Sequence, residues 1–342
     1  MPAPARPEVV EPAQLLRLLA DPEWSEAPLA EGANPAVIVN VSDAGGLSRL
    51  TGIGPATGRV LIGAAPDPPT APPHPILDVA LCSGIAPQGW VSALDLTSAV
   101  EAVVSACEAT PLASTVMAHV ARLNEGRSLF DGLAIESAAY SMLLAGAEFQ
   151  AWRLAHPPAP TRPSPDPVVI DWQGETVTIT LNRPEVRNAY DPAMRDGLVD
   201  ALRAVASHPG PVAVVLTGAG PDFCSGGDLS WFGAAEDPVL AHAVRLARSP
   251  GPLLSRLLAT ACLHGACIGA GIELTAFCAR VEAASDTSFR LPEVSMGLIP
   301  GAGGTASILA RIGRHRLVWM ALSGQRLDAA QALAWGLVDT LL

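Results

Sequence analysis

Two acids stand where acids are seldom found. Glu273 lies in GAGIELTAF (269–277), among glycines, aliphatics and an aromatic, and Glu293 lies in FRLPEVSMGLIPG (289–301). Burying an unpaired carboxylate costs on the order of several kcal/mol. Each acid is therefore either paired, with Arg280 and Arg290 the nearest cations in sequence, or held at a raised pKa for proton transfer. Two carboxyl groups in one poorly hydrated pocket suit paired general acid/base work, because each perturbs the other and burial raises both. Three glycine-rich stretches accompany them: SGGD (225–228), GAGIE (269–273) and PGAGGT (300–305). At strand-to-helix junctions such stretches let backbone approach a ligand and present the N–H groups of a helix start. Two such donors aimed at one oxygen form an oxyanion hole. Tight turns needed only for packing are the alternative for any one stretch.

The elements that must position these residues alternate between strand and helix. Beyond residue 168, VVIDW and TVTITLN read as a hairpin. DPAMRDGLVDALRAVASH reads as an amphipathic helix with Asp191 as N-cap and Pro192 at its first position. VAVVLTG is a buried strand, and one helix is expected over about 238–258. ACLHG, RVEAA and FRLPE read as short strands, GAGIELTAFCAR and GGTASILARIG as helices, and RLDAAQALAWGLVDTLL as a helix followed by a terminal strand. Before residue 168, AVIVNV (36–41), RVLIGAA (59–65) and ILDVALC (76–82) are strand-like, and residues 11–20 form a short amphipathic helix. From Asp95 the period becomes helical. The Pro-rich run HPPAPTRPSPDPV at 156–168 is the clearest boundary. The chain divides into an N-terminal α/β segment (1–94), a helical segment (95–155), a linker (156–167) and a core (168–342). The class is α/β.

Composition narrows the function. The 342 residues carry a net charge of −12, and all 21 basic residues are arginine. An acidic chain is a poor match for nucleic acid, which needs a basic face. Six cysteines show neither CxxC pairs nor Cys/His zinc spacing, so reduced thiols in a cytoplasmic core are expected, with no metal site. Cys224 and Cys267 read as small core residues, and His264 as a hydrogen-bonded core histidine. MPAPARPEVVEP has no apolar stretch of the kind a signal peptide needs. The longest apolar run, about Ala259 to Ala279, contains His264, several glycines and Glu273, so no membrane span is expected. GIGPATG (52–58) has the wrong spacing for a dinucleotide fingerprint.

LNRPEVRNAYDPAM, FCSGGDL, HGACIGAGIELTAFCA and FRLPEVSMGLIPGAGGT, in this order across 168–342, resemble the successive signatures of the crotonase (enoyl-CoA hydratase/isomerase) superfamily. The resemblance implies a spiral core of ββα turns, commonly assembled as trimers or hexamers. It also implies an acyl-CoA thioester substrate whose enolate is stabilised by two backbone N–H groups. Those donors fall on Gly227 and on Ala270, where many members have glycine. Glu273 and Glu293 match both acids of the hydratases, which implies addition of water to a 2-enoyl-CoA. Glu273 would deprotonate the water and Glu293 would protonate C2. No cofactor is implied, coenzyme A being part of the substrate. Arg187, Ser225, Asp228, Trp231, Phe232 and Gly303 are further substrate-contact candidates. Arg187 could meet CoA phosphates or be merely solvated, and Trp231 and Phe232 could line the acyl pocket or simply pack.

The superfamily normally continues with a helical tail beyond the point reached at Leu342. TPLASTVMAHVARLNEG and SLFDGLAIESAAYSMLLAGAEF (110–149) resemble that tail placed before the core. A circular permutation, or a decayed first copy ahead of a complete core, would account for it, and an unrelated module is the alternative. Isomerisation, hydrolysis or cofactor-free dioxygenation through the same enolate also stay open, as does a non-catalytic partner subunit.

Overall fold

VLIGAA (60–65) is apolar at every position, which suits a strand covered on both faces. The computed structural model describes residues 9–31, 34–53, 58–160, 164–234 and 237–342. In it β1 (Val9–Val10), β2 (Ala36–Asn40), β3 (Val60–Ala65), β4 (Val79–Ser83) and β5 (Val91–Ala93) form one parallel sheet in chain order. Helices α1 (Pro12–Leu19), α2 (Pro22–Glu31) and α3 (Ala44–Ser48) lie in its connections. One sheet face sets Leu61, Ala80 and Cys82 against Leu15, Leu50 and Trp90; the other sets Val60, Ile62, Val79 and Leu81 into the core shared with the rest of the chain. Of GIGPATG, residues 54–57 lie outside the described residues.

Four helices follow: α4 (Leu96–Ala109), α5 (Pro111–Asn124), α6 (Leu129–Leu144) and α7 (Ala147–Ala155). Asp95 caps α4 by accepting from Ser98 N at 3.1 Å, and Ser128 caps α6 by accepting from Asp131 N at 3.1 Å. Next come β6 (Val168–Gln173) and β7 (Thr176–Leu181), an antiparallel hairpin turning at Gly174. β7 alternates, burying Val177, Ile179 and Leu181. Helix α8 (Pro192–Ala206) starts where its sequence indicates, with Asp191 accepting from Met194 N at 2.8 Å.

The second half of the core is β8 (Ala213–Gly218), α9 (Pro238–Ala247), α10 (Gly251–Arg256), β9 (Thr260–Leu263), β10 (Ala266–Ile268), α11 (Ala270–Thr275), β11 (Arg280–Ala283), β12 (Ser288–Arg290), α12 (Gly304–Ile312), α13 (Arg314–Ser323), β13 (Leu327–Asp328), α14 (Ala329–Trp335) and β14 (Thr340–Leu341). The single helix expected over 238–258 is two. Pro250 and Pro252 flank Gly251 and interrupt it, because proline lacks the N–H that an unbroken helix needs. A six-stranded sheet runs in the order β14-β11-β9-β8-β7-β6, parallel except for the β6–β7 hairpin. A three-stranded sheet, β10-β12-β13, lies beside it. Strand and helix alternate as the sheet advances, and the class is α/β as expected.

The N-terminal sheet is tied to this core through Asp78, which is fully buried. It accepts from Leu61 N at 2.8 Å and from Arg122 Nε at 2.7 Å, and it pairs with Arg314 of α13 at 3.4 Å. Arg314 also donates to Leu77 O and Pro75 O and meets Glu125 at 3.0 Å. Helices α5 and α6 pack directly on α12, so the segment before the linker covers the glycine-rich end of the core.

Candidate active site

The GAGIELTAF stretch folds as a tight turn into α11. Gly269 has φ +48° and ψ −119°, and a Cβ there would stand 2.4 Å from Glu293 Oε1. Glycine is thus required on two counts, and the close approach brings the two acids of the sequence into one pocket. Glu273, one turn into α11, and Glu293, in the short 3-10 turn after β12, both line a cavity of about 190 Å³. Neither meets an arginine. Arg280 pairs with Glu282 at 2.6 Å, and Arg290 donates to Gly324 O at 2.7 Å.

Instead, Glu273 Oε2 accepts from Ala302 N at 2.7 Å and from Gly304 N at 2.9 Å. These donors belong to PGAGGT, where the loop enters α12. A third acid from outside the core takes the intervening donors: Glu136 of α6 accepts Gly303 N on Oε1 at 2.6 Å, and Thr305 N and Oγ1 on Oε2 at 2.8 and 2.7 Å. Four successive N–H groups, 302 to 305, are thus held alternately by two carboxylates. Helix starts leave such donors free and carry a positive field, so acids are well placed there. Glu136 was not singled out in the sequence. Its signal was present, since GLAIESAAY sets an acid among small and aliphatic residues just as GAGIELTAF does.

Burial dominates the electrostatics of all three acids. It raises Glu273 to about 7, against the hydrogen bonds from Gly304 and Ala302 that hold it down. Burial, and then repulsion from Glu273, push Glu136 up to about 8. The same two causes carry Glu293 well above the usual carboxyl range. Glu293 Oε2 is buried with no hydrogen-bond partner among the described residues.

Gly227 and Ala270 line the same cavity. Tyr190 N donates to Gly226 O and Asp228 N donates to Tyr190 O, each at or near 2.9 Å, so the Gly227 N–H is turned away from that bridge. Ala270 is the first residue of α11. Neither N–H finds an acceptor among the described residues.

Of the remaining candidates, Phe232 and Gly303 line the cavity, while Arg187, Ser225, Asp228 and Trp231 do not. Arg187 is exposed and pairs with Asp222 at 3.5 Å. Ser225 Oγ donates to Val186 O, and Trp231 is 44% exposed. Asp228 pairs at 3.1 Å with the buried Arg183, which also meets Asp191 at 3.0 Å. That cluster fixes the SGGD loop against the start of α8. His264 is hydrogen-bonded as expected, its Nε2 donating to Gly220 O at 3.1 Å, but it is half-buried rather than in the core; burial pushes the Cys224 thiol up to about 12, as suits a core residue. Tyr140 and Arg245, two cavity residues with no sequence motif, complete the wall.

Among known proteins, the family model described as enoyl-CoA hydratase/isomerase matches residues 172–342. The chain is 35% identical over 177 residues to a 2,3-dehydroadipyl-CoA hydratase of Escherichia coli K12, a match covering 50% of this chain and 68% of that enzyme. It is 31% identical over 183 residues to the mitochondrial enoyl-CoA hydratase of Pongo abelii, covering 51% and 61%. A crystal structure of enoyl-CoA hydratase from Thermoplasma volcanium aligns with a TM-score of 0.48 at 32% identity, covering 52% of this chain and 71% of that one.

Proposed function

The chain belongs to the enoyl-CoA hydratase/isomerase family, and from that footing we propose that it adds water to the double bond of a 2-enoyl-CoA thioester. The observation that carries this reading is the pair Glu273 and Glu293, both buried, both shifted upward, and both on one cavity with Gly227 and Ala270. The thioester oxygen takes the Gly227 and Ala270 N–H groups, which stabilise the negative charge that develops there. Glu273 removes a proton from water as the water oxygen bonds to C3. The double-bond electrons move onto the thioester oxygen, giving the enolate. Glu293, whose hold on its proton is strengthened by burial and by Glu273, delivers that proton to C2 as the enolate collapses. One proton is taken from water and one is given to carbon, so the two acids exchange roles and a proton transfer between them resets the site. The hydrogen bonds from Ala302 N and Gly304 N both fall on Oε2 of Glu273, so Oε1 is the oxygen assigned to the water. The chemistry rests on carboxylates and backbone donors, and coenzyme A enters as part of the substrate.

Residues 95–155 act, in this reading, as a rearranged form of the family's helical tail. Supporting it, α6 contributes Leu133, Glu136, Ser137 and Tyr140 to the cavity. The first sheet, advancing in chain order as the core sheet does, is consistent with a decayed copy in residues 1–94. We also read the protein as a cytoplasmic homo-oligomer, a trimer or hexamer; no helix among the described residues is long and apolar enough to cross a membrane.

The test is loss of the conjugated-thioester absorbance with a panel of 2-enoyl-CoA substrates, alongside Glu273→Gln and Glu293→Gln. Hydration that falls by roughly 10²–10⁴ in each variant is expected for lost acid/base catalysis. Tight CoA-ester binding without turnover would move the assignment to another enolate reaction.

A further inference from the structure

Three arginines line the cavity: Arg195, Arg245 and Arg248. Two are neutralised. Arg195 meets Asp196 at 2.9 Å, and Arg248 meets Asp196 and Asp200 at 3.0 and 3.1 Å. Arg245 of α9 differs, since no carboxylate lies within ion-pairing distance among the described residues. Its contacts are to neutral groups of α6: Nε to Ser137 Oγ at 3.1 Å, Nη2 to Ser137 O at 3.2 Å, and Nη2 to Ser141 Oγ. Its guanidinium stands 4.9 Å from the centroid of the Tyr140 ring, and its hydrogen bonds among the described residues use Nε and Nη2, leaving Nη1 for a ligand. Burial weakens its hold on the proton, against the opposing fields of Tyr140 and Glu136. A half-buried cation whose direct hydrogen-bond partners are all neutral is well placed to meet an anion.

The location of Arg245 says which part of a substrate that anion belongs to. The Tyr140 ring touches both the guanidinium and the loop that holds Glu273. One side of the ring presses on Gly301, where a Cβ would stand 2.5 Å from the ring carbons, and Gly301 immediately precedes the donors that hold Glu273. The guanidinium lies over the ring's face. A cavity of about 190 Å³ is below the ~300–1,000 Å³ of sites for drug-sized ligands and suits a short acyl group. Resting on the hydratase reading above, we propose that Arg245 binds a carboxylate at the far end of the acyl chain, so that the preferred substrates are short acyl-CoA thioesters ending in a carboxylate. Ser137 and Ser141, which orient the guanidinium, come from the segment preceding the linker. Selectivity would then lie with α6 and α9, and the reacting groups with the core.

The experiment is calorimetric titration of the intact protein with saturated acyl-CoA thioesters, in pairs of equal length ending in carboxylate or methyl. Saturated esters need no turnover, so a failed hydratase reading leaves this measurement intact. Wild type should favour the carboxylate by about tenfold to a hundredfold, the worth of a charge-assisted hydrogen bond. In Arg245→Met the ratio should fall to near one, and Arg245→Lys should keep part of it. Absence of any preference in wild type overturns the proposal, with no variant needed. So does an equal loss for both members of each pair in Arg245→Met, which would assign the arginine to the phosphates of coenzyme A.

Discussion

Replacing Glu136 tests the link between the N-terminal helices and the chemistry. Glu136→Ala removes the acceptor of three donors, Gly303 N, Thr305 N and Thr305 Oγ1. Each donor left unsatisfied in a buried site costs about 1–3 kcal/mol. Part of that sum is returned, because the change also removes a buried carboxylate repelled by Glu273. A net destabilisation of about 2–4 kcal/mol is expected, read from the urea midpoint at constant m-value. The effect on activity should be larger than stability alone implies. The interleaved donors Ala302 N and Gly304 N hold Glu273, so a relaxed loop displaces the base. A misplacement of about 1 Å costs on the order of a hundredfold in rate, and kcat should fall more than KM rises. Glu136→Gln keeps one acceptor oxygen but turns an NH2 group toward donors, and should fall between wild type and Ala. A double-mutant cycle with Thr305→Val isolates the coupling. An unchanged urea midpoint with unchanged kcat in Glu136→Ala would refute the claim that this helix organises the site.

Three further outcomes follow from the same geometry. Hydration should show a bell-shaped pH dependence. Its acid limb lies near 7, where Glu273 must ionise to act as base, and its alkaline limb comes where Glu293, raised well above its usual range, loses the proton it must donate; both limbs belong to the coupled cluster and shift together in Glu293→Gln. Because the folded state holds a proton on Glu293 that the unfolded chain releases near the ordinary carboxyl value of 4.5, stability from this group is full below that pH and is lost as pH rises through the folded value. Glu293→Gln should therefore raise the Tm relative to wild type at alkaline pH, the gain vanishing in acid; a gain independent of pH would contradict the sign. Asp78→Ala strands Arg122 and Arg314 in the interior and should destabilise the whole chain by about 3–5 kcal/mol in one cooperative transition, whereas two separate transitions by circular dichroism would show that the first sheet folds apart from the core.

Much of this protein was legible in its residues because the relevant signals are local. Asp191 before Pro192, Asp95 before its helix, and the alternation of TVTITL fix elements through contacts a few residues long. An acid among glycines and aliphatics announces a group that must be paired or shifted, and Glu273 and Glu293 form no ion pair among the described residues and are shifted upward by burial. The sequence could not say that the two acids approach across Gly269, for that depends on a positive φ and on β12 pairing with β10. It also left Glu136 and Arg245 unmarked. Glu136 acquires its role from donors at 303 and 305, far along the chain, and Arg245 from having serine and tyrosine rather than an ion-pairing carboxylate against it among the described residues, which only the packing of α6 against α9 and α12 could decide. The sequence determined which groups were available for chemistry, since side-chain type and local backbone preference are written residue by residue. The tertiary structure alone decided which of them share one desolvated space, because burial and charge neighbours are set by contacts between distant segments.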